Sequence, residues 1–185
     1  MYTRVCLAWN NRRKPVTLSA TRFTEIPWQE GAHHMDGCAY LFATEIREIE
    51  ELTLGLTITE ARPQASITTV DEQDTLGFLK IGGRPIQEDE TCRVFQVVFD
   101  PNYLISYTVL NETYGKYPEP PEAFTGKYFR VFSRSHLLDF TERTTYASGG
   151  HPATLMHFEI ACLNHVIDVI CTAPPKISIG RQVSA

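Results

Sequence analysis

Residues 51–60 read Glu-Leu-Thr-Leu-Gly-Leu-Thr-Ile-Thr-Glu, an alternation of apolar and polar side chains. Neighbouring side chains of a β-strand point to opposite faces, so this alternation gathers the aliphatic residues on one face and the threonines on the other. The aliphatic set is Leu52, Leu54, Leu56 and Ile58. The stretch therefore predicts a half-buried strand, apolar toward a core and polar toward solvent.

The same period of two recurs along most of the chain. Predicted strands occupy residues 1–9, 16–23, 40–49, 92–99, 103–112, 127–132, 155–162 and 165–171. The first two are joined by a polar turn and predict a hairpin. Residues 40–49 also fit a helix, but they continue an apolar run and we favour a strand. Residues 127–132 are apolar on both faces, which is typical of an interior strand.

The sequence Asp100-Pro101-Asn102 is a turn between two β-rich runs, and it predicts that residues 92–99 pair with residues 103–112. The cross-strand pairs in that register are Phe99 with Tyr103, Val97 with Ile105, and Phe95 with Tyr107. We expect this hairpin at the centre of the core, because such pairs contribute roughly 0.2–1 kcal/mol each.

Helical signals are few. Ser133 and Ser135 offer N-caps for a helix over residues 136–144, where Asp139 stands four residues before Arg143. Residues 113–126 are rich in Pro and Tyr and follow no period, which predicts a long loop.

About nine strands with one or two short helices indicate a mainly β protein. We predict a single domain over residues 1–185, built as an antiparallel β-sandwich or barrel. The alternative is an α+β fold with an antiparallel sheet. A βαβ architecture is excluded because it needs helices between its strands.

The net charge and the cysteines of the chain restrict which partners and which cell compartment we expect for it. The 185 residues carry a net charge of -5, whose sign opposes binding to nucleic acid or to an anionic membrane. No secretory signal or 20-residue apolar span is visible, so we expect a soluble protein. The five cysteines form no Cys-x-x-Cys pair, which predicts reduced thiols and a cytoplasmic location.

Known cofactor and nucleophile signatures are missing from the sequence. It contains no Gly-x-Ser-x-Gly and no P-loop. His33, His34, Asp36 and Cys38 are types that bind metals, but same-face residues of an extended chain lie about 6.6–7 Å apart, too far for one ion. We therefore interpret residues 32–38 as a polar loop, and we expect no metal and no cofactor.

The predicted hairpin of residues 155–162 and 165–171 separates its side chains by face. Phe158, Ile160 and Cys162 share one face with Ile167, Val169 and Cys171, while the other face carries His157, Glu159 and Asp168. An imidazole beside two carboxylates has the ingredients of general acid-base catalysis. The simpler interpretation is a solvated outer face.

A second candidate site lies around the central hairpin and the predicted loop. The semi-polar face of the hairpin is expected to lie next to the tyrosines of the loop. Tyrosine side chains offer a large contact area to a ligand and lose little conformational entropy when they bind it. The predicted ligand-binding residues are Gln96, Ser106, Thr108, Glu112, Tyr114 and Tyr117.

Two functions follow from these candidates. The first is binding of a small polar molecule or a protein partner through the semi-polar face and the loop. The alternative is a hydrolase or isomerase that uses His157, Glu159 and Asp168. The semi-polar face is also compatible with a homo-oligomer interface.

Overall fold

A computed structural model describes residues 22–64, 85–115, 119–148 and 150–181. The elements of the described residues are β1 (Thr24–Ile26), α1 (Trp28–Asp36), β2 (Tyr40–Glu50), β3 (Thr53–Pro63), β4 (Ile86–Gln87), β5 (Arg93–Phe99), β6 (Leu104–Asn111), a 3-10 helix (Glu112–Tyr114), β7 (Ala123–Thr125), β8 (Phe129–Arg134), α2 (His136–Thr144), β9 (Met156–Ala161), β10 (His165–Cys171) and β11 (Lys176–Arg181). The predicted hairpin of residues 1–9 and 16–23 lies almost wholly outside the described residues.

The strands form two antiparallel sheets. The first has the order β1-β11-β5-β3-β2, with β4 paired to the end of β3. The second has the order β6-β10-β9-β8-β7. Over the described residues neither sheet closes on itself. The prediction of a mainly β fold with short helices is confirmed.

The core lies between the two sheets. The first sheet contributes cross-strand pairs of buried side chains, namely Leu54 with Phe99, Leu56 with Val97, and Ile58 with Phe95. The second contributes Ile160 with Ile167 and Phe158 with Val169. Removal of this apolar area from water is the main force that holds the sheets face to face.

The predicted central hairpin is wrong, because β5 and β6 lie in different sheets. Both edges of β5 are already hydrogen-bonded, one to β3 and the other to β11, so no edge remains for β6. The carbonyl of Asp100 accepts from the backbone N–H groups of Tyr103 and Leu104 in a tight turn, after which the chain enters the second sheet. There β6 pairs with β10.

The prediction of a polar loop over residues 32–38 is also wrong, because α1 extends through Asp36. Trp28 packs edge-on against Phe158 at 5.7 Å between ring centroids, which anchors the helix on the core. At the other end, the Asp36 carboxylate accepts from the backbone N–H groups of Tyr128 and Phe129. The helix thus lies across the space between the sheets at one end of the core.

Residues 53–60 of the predicted strand lie in β3, which is more buried than its sequence predicts. Leu54, Leu56 and Ile58 face the core, but Thr53 and Thr59 on the other face are buried as well. Leu52 is 60% exposed and adopts a φ of 57° in the turn before β3, so it is not part of the apolar face. The strand prediction for residues 40–49 is confirmed by β2.

The helix predicted for residues 136–144 is confirmed as α2, and Ser135 caps it by accepting from the N–H groups of Leu137 and Leu138. The Nε of Arg143 donates to the backbone carbonyl of Asp139 rather than to its carboxylate. The segment predicted as a loop, residues 113–126, contains most of the 3-10 helix and strand β7.

None of the helices in the described part of the chain is long and apolar enough to cross a bilayer. Four of the five cysteines are described, and all four are free and buried: Cys38, Cys92, Cys162 and Cys171. Cys6 lies outside the described residues.

Candidate functional site

The hairpin of β9 and β10 sorts its side chains as the sequence predicts. Phe158 and Ile160 face the core together with Val169 and Ile167. On the outer face Glu159 lies directly opposite Asp168. The face is not an open solvated one, because His157 is 2% exposed and Glu159 is 8% exposed.

Four polar side chains form a line across this outer face. Thr108 on β6 pairs with Asp168 on β10, Asp168 pairs with Glu159 on β9, and Glu159 pairs with Arg130 on β8. We call this line the polar row. Thr108 Oγ1 donates to Asp168 Oδ2 at 3.3 Å, and Arg130 Nη1 donates to Glu159 Oε1 at 2.5 Å. Each end of the row is thus joined to its neighbouring carboxylate by a hydrogen bond.

His157 is held beside the row with a defined tautomer. A hydroxyl has one proton and two lone pairs, and the lone pairs of Ser135 Oγ accept from the amides that it caps. Its proton therefore points to Nδ1 of His157, which lies 2.7 Å away. A neutral imidazole that accepts at Nδ1 carries its proton on Nε2, which donates to Asp168 Oδ1 at 3.0 Å.

Hydrogen bonds connect Ser135, His157 and Asp168, which are the residue types of a catalytic triad. The position of Ser135, however, does not suit a nucleophile. Ser135 is 2% exposed, and its oxygen is occupied by helix capping. It is also absent from the cavity lining described below. A nucleophile must reach its substrate, so Ser135 orients His157 rather than attacking a ligand.

The environment of Glu159 opposes its ionisation. Burial raises the pKa of this carboxyl, and the nearby charge of Asp168 acts in the same direction. Arg130 lowers the pKa but does not cancel the effect of burial. A buried carboxyl with a raised pKa next to a second carboxylate is a feature of many functional sites.

The polar row lies on the wall of a cavity of about 630 Å³. The polar lining comprises Thr108, Glu112, Glu122, Arg130, His136, His157, Glu159 and Asp168. The apolar lining includes Leu110, Phe124, Phe132, Leu137, Phe140, Ala161 and Val166. Two aromatic rings fix polar side chains, because Arg130 lies 4.7 Å over Phe124 and His157 stacks on Phe132. The cavity therefore combines rigid polar groups with apolar walls.

The structure joins parts of the two predicted sites. Thr108 and Glu112, predicted as ligand contacts, line the same cavity as His157, Glu159 and Asp168. The other predicted contacts are placed elsewhere. Ser106 pairs with Ile170 on the same sheet and is not in the lining, and Gln96 lies on β5 of the first sheet. Tyr114 is 75% exposed and outside the lining, while Tyr117 lies outside the described residues.

Sequence reasoning missed Arg130, Glu122 and His136. Arg130 reaches Glu159 because β8 lies beside β9, and no residue pattern specifies that neighbour. Glu122 Oε1 accepts from the backbone N–H of His136 at the start of α2. Glu122 is 14 positions away from His136 in the sequence, so no local pattern pointed toward this contact.

Two of the residues considered as metal ligands in the sequence, His34 and Asp36, contact other groups of the protein. Nε2 of His34 lies 3.6 Å from Glu30 on the same helix, and Asp36 accepts the two backbone N–H groups already described. Within the described ranges, no group of three or more His, Cys, Asp or Glu side chains is arranged to hold a metal ion.

Comparison of the chain with protein-family models, with curated proteins and with solved structures finds no match. The geometry of the cavity is therefore the feature of the molecule from which its function is inferred.

Proposed function

We propose that the protein binds a small polar ligand in the cavity over the polar row. The observation that carries the proposal is the position of the polar row, whose two carboxyl groups are each held by a hydrogen bond from a neighbouring strand, with His157 beside it, on the wall of a cavity of about 630 Å³. Small-molecule sites are typically concave, about 300–1,000 Å³ in volume, and mostly apolar with a few oriented polar groups.

Preorganisation supports the proposal further. Asp168 is fixed by Thr108 and His157, and Glu159 is fixed by Arg130, so these carboxylates lose little rotamer freedom when a ligand arrives. Binding is stronger when side chains are ordered beforehand, because their entropy is not lost on association. The imidazole of His157 is also ordered beforehand, because it is hydrogen-bonded to Ser135, the residue that caps α2.

The test is a thermal-shift screen of small polar compounds against the full chain, followed by a variant that fills the cavity. Ala161→Trp places an indole in the lining, and we expect it to abolish the shifts of every cavity ligand. Gln96→Trp is the control, because Gln96 is an exposed residue of the other sheet. Ligands that stabilise Ala161→Trp as much as the wild type would refute the proposal.

A second measurement uses only the wild type, so it tests the site even if Ala161→Trp does not fold. NMR titration of the wild type with each hit is expected to move the backbone amide resonances of Thr108 and Val166, which both line the cavity. Shifts confined to β1 and β11 of the first sheet contradict the site assignment.

A second candidate function is acid-base catalysis, the hydrolase or isomerase alternative. The observation that favours it is that two carboxyl groups, Glu159 and Asp168, lie directly opposite each other on the cavity wall, and that burial raises the pKa of Glu159. In this case Glu159→Gln and Asp168→Asn each abolish turnover of a bound compound while binding persists. Turnover that survives Asp168→Asn rules out this candidate.

A further inference from the structure

Over the described residues the two sheets have four outer edges, formed by β1, β2, β6 and β7. An edge strand leaves backbone N–H and C=O groups unpaired, and proteins protect such edges from other chains by keeping the strand short or by adding charged side chains. β1 and β7 have three residues each. β2 carries four charged side chains, namely Glu45, Arg47, Glu48 and Glu50. Three of the four edges are thus protected.

The fourth edge strand, β6, has neither form of protection. Its eight residues, Leu104–Asn111, include no charged side chain and no proline. One side of β6 pairs with β10, and no strand of the described residues pairs with the other side. Successive residues of an antiparallel strand direct their backbone groups to opposite sides, so about half of the residues of β6 present their N–H and C=O at the open edge.

Apolar side chains are exposed along the same edge. Val109 lies opposite Ile167 on the core-facing side of the sheet, but Ile167 is fully buried whereas Val109 is 43% exposed. On the outer face Leu110 lies opposite Val166 and is exposed as well. A strand placed against β6 would bond its free backbone groups and cover these two side chains.

A second copy of β6 has the properties that this edge requires. Two identical strands that pair antiparallel are related by a two-fold axis, so every contact between them is made twice. Because β6 has no charged side chain, pairing within Leu104–Asn111 places no like charges opposite each other in any register. The same pairing at β2 would bring three glutamates of each copy together. Charge therefore permits self-pairing at β6 and opposes it at β2.

We propose that β6 pairs antiparallel with β6 of a second copy of this chain. The pairing joins the second sheets of both copies into one sheet of ten strands, five from each copy. Thr108 and Leu110 lie on β6 and line the cavity, so the two cavities lie on the same face of the joined sheet, on either side of the two-fold axis. This association of the chain does not depend on which ligand the cavity binds.

Sedimentation equilibrium of the full chain between about 1 μM and about 1 mM tests the association. We expect the mass to rise with concentration toward that of two chains. Val109→Lys is expected to weaken the dimer at least about tenfold, because each copy then adds a lysine to the interface. Val109→Thr keeps a β-branched, uncharged side chain and should retain the dimer. Thr24→Lys is the matched control, since it adds the same charge to an exposed position on β1, an edge of the other sheet.

Hydrogen–deuterium exchange of the wild type tests the same edge without any substitution. In the dimer the β6 amides that point to the open edge become hydrogen-bonded, so they should exchange more slowly at high than at low protein concentration. The amides of β1 and β2 should show no such dependence on concentration.

Three results would overturn the proposal. The first is a chain that stays monomeric over the whole concentration range. The second is a dimer that withstands Val109→Lys, or that is weakened equally by Thr24→Lys. The third is protection of the edge amides of β6 in the monomer, which would show that another segment of the same chain covers this edge. The ligand screen with Ala161→Trp is a separate measurement, so the proposed function and the dimer can fail independently.

Discussion

Glu60 provides a quantitative test of the first sheet. This carboxylate is 3% exposed at the end of β3, on the core side of the sheet. Arg93 Nε donates to its Oε2 at 2.9 Å, and Arg62 Nε donates to its Oε1 at 3.0 Å. Burial by itself would raise the pKa of Glu60, but the hydrogen bonds from the two arginines overcome it and lower the pKa from 4.5 to about 2.

The size of the effect follows from the linkage between protonation and folding. At about 1.36 kcal/mol per pH unit, a pKa lowered from 4.5 to about 2 corresponds to about 3 kcal/mol of stability. Because the folded-state pKa is depressed, this contribution is fully present above about pH 4.5 and disappears as the pH falls toward 2. The figure is an upper bound, since the Arg62 side chain is 46% exposed and solvent screens its charge.

The assay compares urea denaturation of the wild type and of Glu60→Gln between pH 7 and pH 2. We expect the difference in unfolding free energy to be at most about 3 kcal/mol at neutral pH and to shrink steadily below pH 4.5. Glu25→Gln, a surface change without an ion pair among the described residues, should shift stability by less than about 0.5 kcal/mol. A difference between wild type and Glu60→Gln that is the same at pH 7 and at pH 2.5 would refute the reasoning.

Three further predictions concern packing and thiol chemistry. Phe95 is fully buried between the sheets, so Phe95→Ala should lower the unfolding free energy by about 3–5 kcal/mol; an unchanged denaturation midpoint would contradict its place in the core. A Cβ on Gly31 of α1 would lie 2.6 Å from Cγ2 of the buried Ile177, so Gly31→Ala should destabilise by about 1–2 kcal/mol in thermal unfolding, despite the better helix propensity of alanine. Burial raises the pKa of Cys38 to about 11 and that of Cys162 to about 12, so alkylation followed by peptide mapping should label these cysteines only after unfolding; rapid labelling of the native chain would show that they are accessible.

The sequence by itself determines which side chains share a face. The alternation in residues 155–162 and 165–171 is sufficient to place His157, Glu159 and Asp168 together, and the structure has that arrangement. Ser135 likewise marks the start of α2, since its side chain satisfies N–H groups only a few residues away. These features are local, so the nearby sequence contains the information that specifies them.

The partners of each strand were decided by the tertiary structure. The strands on either side of Asp100 belong to different sheets, and Arg130 meets Glu159 only because β8 lies beside β9. Ser135 contacts His157 across 22 positions of the chain for the same reason. A period of two fixes the face of a strand but not its neighbour, because backbone hydrogen bonds are the same for any pair of strands and the choice among them depends on how the whole core packs.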